Sequence, residues 1–123
     1  MPLEIQKSAD PQRPGVVTIK LIGSLDTATA PELEREMVQT LSGSVNDLVF
    51  DLGLLKFVSS AGLRLFSVAR KQLVARGGHA SFINMQPQVQ EVFEIVQALP
   101  GFKLFNDLAA LDRYLDSRRR PQA

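Results

Sequence analysis

The chain has 123 residues, 45% of them apolar, and its 14 basic and 13 acidic residues leave a formal net charge of +1. That size and apolar content fit one globular domain and exclude a disordered chain, while the near-neutral charge excludes a long-range field drawing in nucleic acid or a membrane surface. Cysteine is absent and His79 is the single histidine, which rules out disulfides and cysteine chemistry and leaves little for zinc or histidine catalysis.

Residues 1–15, MPLEIQKSADPQRPG, lack the apolar core of a signal peptide, and no apolar run approaches the ~20 residues of a membrane span. A cytoplasmic domain without membrane insertion is expected. PLEIQK reads as a short edge strand and ADPQRPG as a turn, because its prolines fix φ and its glycine permits φ > 0. VVTIKLIG alternates, with Val17, Ile19 and Leu21 on one face and Thr18 and Lys20 on the other, which is a strand closing a hairpin. In TAPELEREMVQTLSG, Thr29 and Glu32 have capping-box spacing, Pro31 suits a first turn, and Leu33, Met37 and Leu41 share a helical face.

DLVFDL follows as a nearly continuous apolar run, as in a strand buried on both faces. After the serine pair, Phe66, Ala69 and Leu73 recur at helical spacing, and Gly77 and Gly78 stop that helix. HASFIN is a strand. QPQVQEVFEIVQAL is a helix with Val89, Val92, Phe93 and Val96 inward, KLF is a short strand, and NDLAALDRYLDS is a last helix capped by Asn106 or Asp107, with Leu108, Leu111 and Leu115 inward. The order β, β, α, β, α, β, α, β, α predicts an α/β fold of about five strands in a mixed, mostly parallel sheet with about four helices. One domain over residues 1–123 is expected, with its core over about residues 3–116 and a basic tail, 117–123, read as a solvated end or a contact for an anionic partner.

The serine pair in FVSSAGLR invites three readings. A hydrolase needs a base near the nucleophile, yet VSSAG has Val58 where the nucleophile elbow has glycine, and His79 falls at the opposite end of a parallel sheet. A cap needs one hydroxyl, from Ser59 or Ser60, to accept an amide N–H. The third reading is a target for another enzyme. Gly23 reads as a strand-end or bulge glycine, His79 as structural, and Asp51 as unpaired with any second carboxylate, so no metal site and no cofactor are expected.

GSLDTATAPEL (23–33), LVFDL (48–52) and FVSSAGLRLF (57–66) together resemble the STAS domain, in particular the bacterial anti-sigma factor antagonists. The resemblance runs from about Val16 to Leu115, and the element order agrees with that fold. It implies a switch and not an enzyme. In that family the unmodified antagonist binds an anti-sigma factor that is a serine kinase with a GHKL-type ATP site, which frees a sigma factor. The kinase phosphorylates one serine at the head of this helix, and a PP2C-type phosphatase resets it.

The family pattern, Asp-Ser-Ser/Thr-Gly, places its Asp on Ser59, its phosphorylated Ser on Ser60, the next hydroxyl residue on Ala61 and its Gly on Gly62. Ser60 is therefore the expected acceptor, with Ser59 as the alternative because it adds a hydroxyl. Asp26 matches an Asp of the loop near the family's phosphosite. The partner surface implied is Asp26, Thr27, Ser59, Ala61, Gly62, Leu63 and Arg64, with Ala61 and Gly62 letting a partner approach closely; Arg64, one turn past Ser60, reads as solvated or as a rim contact. A helix start tolerates a phosphate, and if Ser60 is itself the cap then Ser60→Ala loses about 1 kcal/mol. The alternative within the fold is an adaptor subunit of a transporter or lipid-trafficking complex, with Ser60 only a helix cap; a small-nucleotide-binding domain is a further one.

Overall fold

Leu3 and Ile5 alternate with exposed polar residues along Leu3–Ala9 (β1), and this strand runs antiparallel to Val16–Leu25 (β2), from Leu3 opposite Gly23 to Ala9 opposite Val17. The computed structural model describes residues 2–96 and 103–105. The hairpin turn is closed by Asp10, whose carboxylate accepts the amides of Gln12 (2.9 Å) and Arg13 (3.2 Å) and pairs with the Arg13 guanidinium at 3.0 Å. Thereafter strands and helices alternate: Ala30–Leu41 (α1), Asp47–Val58 (β3), Ser60–Ala75 (α2), His79–Ile83 (β4), Pro87–Val96 (α3) and Lys103–Phe105 (β5).

The five strands lie in the order β1-β2-β3-β4-β5, with every pair after the hairpin parallel. Right-handed crossovers between sequential neighbours put their helices on one face, and the core agrees. Ile19, Phe50 and Phe82 stand in register across β2, β3 and β4, and Leu33 and Met37 of α1, Phe66 and Leu73 of α2, and Val89 and Phe93 of α3 join them in one buried cluster. Phe50, Phe66 and Phe82 meet with ring centroids 4.8, 5.1 and 5.3 Å apart, and Phe93 lies 5.2 Å from Phe82. Ring contacts of this kind, stacked for Phe50–Phe82 and tilted or edge-on for the others, are worth about 0.5–1.5 kcal/mol per pair beyond burial.

Two expectations need amendment. The strand expected over DLVFDL continues to Val58. Between Lys20 and Ile22, and again between Gly23 and Ser24, β3 takes one more residue than β2, since Lys20 faces Asp51 but Ile22 faces Leu54, and Gly23 faces Leu55 but Ser24 faces Phe57. These bulges let Leu52, Leu55 and Val58, three apart, all turn into the core, while Leu54 and Phe57 stay exposed. Second, the capping box does not form. Thr29 precedes α1 with no side-chain cap bond to the helix. Its hydroxyl donates to the Ser24 carbonyl at 2.9 Å instead. The helix expected over NDLAALDRYLDS and the basic tail lie outside the described residues. No helix among the described residues is long and apolar enough to cross a membrane.

The end of α2 ties the helical layer together. Gly77, at φ +78°, donates to Val74 O (3.0 Å), and Gly78 donates to Leu73 O (2.7 Å), a paired closure that needs a left-handed residue. The cap residue, Arg76, reaches across to α1, where its guanidinium donates to the carbonyls of Leu41 (2.6 Å), Gly43 (3.2 Å) and Val45 (3.2 Å). Leu41 is the last residue of α1, whose final carbonyls lack intrahelical donors, and Gly43 and Val45 lie in the loop that follows it.

Replacing Arg76 by Ala should lower unfolding free energy by roughly 1–2 kcal/mol in urea titration, as three charge-assisted bonds at a solvent-exposed site are lost. Arg76→Lys should recover only part of this, because an ammonium lacks the planar fork. An unchanged midpoint in Arg76→Ala would show that the bridge adds nothing to stability.

Candidate functional site

At the C-terminal edge of the sheet, β2 and β3 end side by side, Leu25 opposite Val58, and each turns into a helix. The Ser59 N–H donates to the Leu25 carbonyl at 2.8 Å, which holds the two βα junctions together. The starts of α1 and α2 thereby become neighbours although some 30 residues apart in sequence, one of the longer-range juxtapositions that a parallel sheet makes routinely.

Asp26 organises the first junction. Its carboxylate accepts the amides of Ala28 and Thr29, both at 3.0 Å, its own N–H donates to the Thr29 hydroxyl at 2.9 Å, and its carbonyl accepts from the Ala30 amide at 2.8 Å. The Thr29 amide is the main reason this carboxyl titrates below its ordinary value of 3.8, with the Thr29 hydroxyl and the Ala28 amide adding to it. The group is therefore anionic at neutral pH, and its depressed pKa supports the turn above the ordinary value, a contribution lost as pH falls through the folded one. Thr27 and Ala28 are exposed at the tip.

The second junction divides its two serines. Ser59 is the N-cap, extended at φ −96° and ψ 173°, and its hydroxyl accepts the Gly62 amide at a long 3.4 Å. Ser60 is the first residue of α2, is exposed, and its hydroxyl makes no hydrogen bond among the described residues. Of the two serines weighed as the cap, Ser59 has the cap geometry, so a capping role for Ser60 is corrected here. Gly62 and Leu63, expected on the contact surface, are both buried. A Cβ on Gly62 would come within 2.6 Å of Leu25 Cδ2 and Cγ and 3.0 Å of Val58 Cγ2, so this glycine serves close packing of α2 on the sheet.

Between the helix starts lies a groove of about 350 Å³. Thr27, Ala30, Pro31 and Glu34 line it from one side, and Ala61, Arg64, Leu65 and Val68 from the other. The structure thus brings Thr27, Ala61 and Arg64 together as expected. It keeps Asp26 engaged in its own turn and adds Ala30, Pro31, Glu34, Leu65 and Val68, which sequence reading did not assign. The spacing of 61, 64, 65 and 68 is a helical stripe and was the available signal. A wider groove, about 730 Å³, lies away from the serines between Leu3 and Ile5 of β1 and Arg35 and Val38 of α1.

His79 pairs with Asp47 at the start of β3, a whole strand away from Ser59 and Ser60, so it is placed where it cannot serve them as a base. Asp51 accepts from the Gly53 amide (3.1 Å) and Asn84 Nδ2 (3.4 Å), a structural arrangement. No group of three or more His, Cys, Asp or Glu among the described residues is placed to hold a metal ion.

The model of the STAS domain family matches residues 7–111. BtrV of Bordetella bronchiseptica, provisionally named an anti-sigma factor antagonist, is 35% identical over 96 residues, which is 78% of this chain and 83% of BtrV. The anti-sigma F factor antagonist of Lysinibacillus sphaericus is 26% identical over 98 residues, covering 79% and 84% of the two chains. In three dimensions the chain is similar to the anti-sigma factor antagonist SpoIIAA in its unphosphorylated form, with a TM-score of 0.77, 23% identity and coverage of 92% of this chain and 97% of that one.

The split between the serines has a measurable signature. Ser59→Ala should destabilise the domain by about 0.5–1 kcal/mol through loss of the cap, whereas Ser60→Ala should be within about 0.5 kcal/mol of wild type, both read by denaturant unfolding. The reverse ranking would return the cap to Ser60. Gly62→Ala should cost about 1–3 kcal/mol, as a methyl is forced against Leu25; a neutral effect would mean that the helix start shifts freely.

Proposed function

The chain belongs to the STAS domain family, and from that membership we propose that it is a binding module whose capture of a protein partner is controlled by phosphorylation of Ser60. Unphosphorylated, it sequesters an anti-sigma factor that is also a serine kinase of the GHKL type, and so releases a sigma factor or an equivalent output in the cytoplasm. The kinase transfers a phosphoryl group to Ser60 and the complex separates. A PP2C-type phosphatase restores the binding form. The names of the two curated relatives support the antagonist role.

The observation that carries the choice of residue is the division of labour at the start of α2. Ser59 is half-buried and its oxygen is directed at the Gly62 amide, while the exposed Ser60 hydroxyl has no structural task among the described residues. Modifying Ser60 leaves the cap in place. A phosphate there carries about −1.5 to −2 charges at the positive end of a helix, so the fold tolerates it. Beside the groove, the same charge burdens any docked partner with desolvation and with repulsion from its acidic side chains. Asp26 and Glu34 add to the negative field on the side of α1.

Two measurements decide this reading. Incubation with the cognate kinase and Mg-ATP should place one phosphate on Ser60 and none on the Ser60→Ala variant; a label on Ser59 would move the acceptor. Ser60→Asp should keep the thermal midpoint of wild type yet bind the kinase at least about tenfold more weakly by calorimetric titration, a loss of ~1.4 kcal/mol. Wild-type affinity in Ser60→Asp would sink the electrostatic account.

A further inference from the structure

Arg64 stands one helical turn beyond Ser60, exposed on α2, and lines the groove whose opposite wall carries Glu34. Its guanidinium forms no ion pair or hydrogen bond with any other described residue, in contrast to Arg76, which is fully engaged by α1, and Arg13, which is paired with Asp10. An exposed arginine with free donors at the lip of a groove is available to whatever anion arrives beside it. Positions i and i+4 of a helix are surface neighbours, and an anion N-terminal to a cation is the favourable order. Arginine offers two parallel N–H donors that match phosphate oxygens, a geometry lysine lacks.

We propose that Arg64 is the counter-ion that a phosphate on Ser60 takes up, and that modification thereby withdraws from the partner the cation it meets at this lip. The inference rests on the phosphoacceptor reading above. The unmodified surface presents Arg64 to a carboxylate of the partner, and the modified one presents a dianion with Arg64 folded back onto it. Two changes then act in the same direction, since a negative charge is added where the partner docks and a positive contact is removed. Glu34 from α1 also lines this groove and favours a partner cation over a partner anion, as does the charge of Asp26 held in the turn before α1; Arg64 is what offsets them.

The test places phosphoserine at position 60 during synthesis, so that no kinase is needed, in wild type, Arg64→Gln and Arg64→Lys. Phosphorus NMR titration should give a phosphate midpoint lower in wild type than in Arg64→Gln by roughly 0.2–0.7 pH unit, the size of an exposed ion pair, because a neighbouring cation favours the dianion. Arg64→Lys should fall between them, and high salt should shrink the difference. Coincident midpoints in wild type and Arg64→Gln would overturn the pairing. Unphosphorylated Arg64→Gln should bind the kinase several-fold more weakly than wild type; equal affinity would overturn the claim that the partner uses this cation. Failure of the kinase to label Ser60 at all would instead remove the phosphoacceptor reading, a separate result from either of these.

Discussion

Leu25 occupies the space that a side chain at position 62 would need, and its carbonyl takes the amide of Ser59. One contact is apolar and the other polar, and together they fasten the end of β2 to the start of α2. Because β2 runs through Asp26 directly into α1, the same fastening also sets where α1 begins. The side-by-side helix starts, the groove between them and the exposure of Ser60 are consequences of that seat. Hydrogen bonding alone would leave the helix free to pivot about Ser59; the close approach of Gly62 to Leu25 and Val58 removes that freedom, as tightly packed interiors do.

The serine that replaces the family's aspartate fits this frame. Asp and Ser are near-equal N-caps, so Ser59 retains the amide contact while dropping a charge next to the proposed acceptor, Ser60. Ala61, where the pattern has a second hydroxyl residue, lines the groove and offers nothing to modify. Of the serine pair at this helix start, the uncommitted hydroxyl is that of Ser60. The junction before α1 shows the complementary economy. Asp26 satisfies two amides of its own turn, and Thr29, relieved of capping, ties that turn to β2 through Ser24.

Local periodicity made most of the fold legible. The alternation in VVTIKLIG, the Phe66–Ala69–Leu73 stripe and the glycine pair after α2 each reflect a constraint contained within about ten residues, and each appears where expected. The second half of β3 was hidden because its bulges change the inward spacing from two to three, so that Leu52, Leu55 and Val58 match neither strand nor helix. The Thr29–Glu32 capping box failed for a different reason. Its spacing was present, but a carbonyl on β2, supplied by the tertiary fold, competed for the hydroxyl and won. Half of the groove lay on α2 in a visible stripe; the other half came from α1, and no pattern within either segment announces that the two will face each other.

A switch built this way has no need to send a signal through the core. The Ser60 hydroxyl, the proposed acceptor, is on an exposed residue and makes no hydrogen bond among the described residues, and the cap that holds the helix start belongs to the residue before it. The core beneath, with Phe50, Phe66 and Phe82 in mutual contact, can stay as it is in both states. Only the balance at the groove has to change, and an energy near 1.4 kcal/mol already alters occupancy tenfold. That is small beside the several kcal/mol that hold a domain folded. On the proposed reading, rigidity at the Leu25–Gly62 seat and sensitivity at Ser60 are therefore compatible: the first keeps the proposed contact surface in one shape, so that a change of charge alone can decide whether a partner fits it.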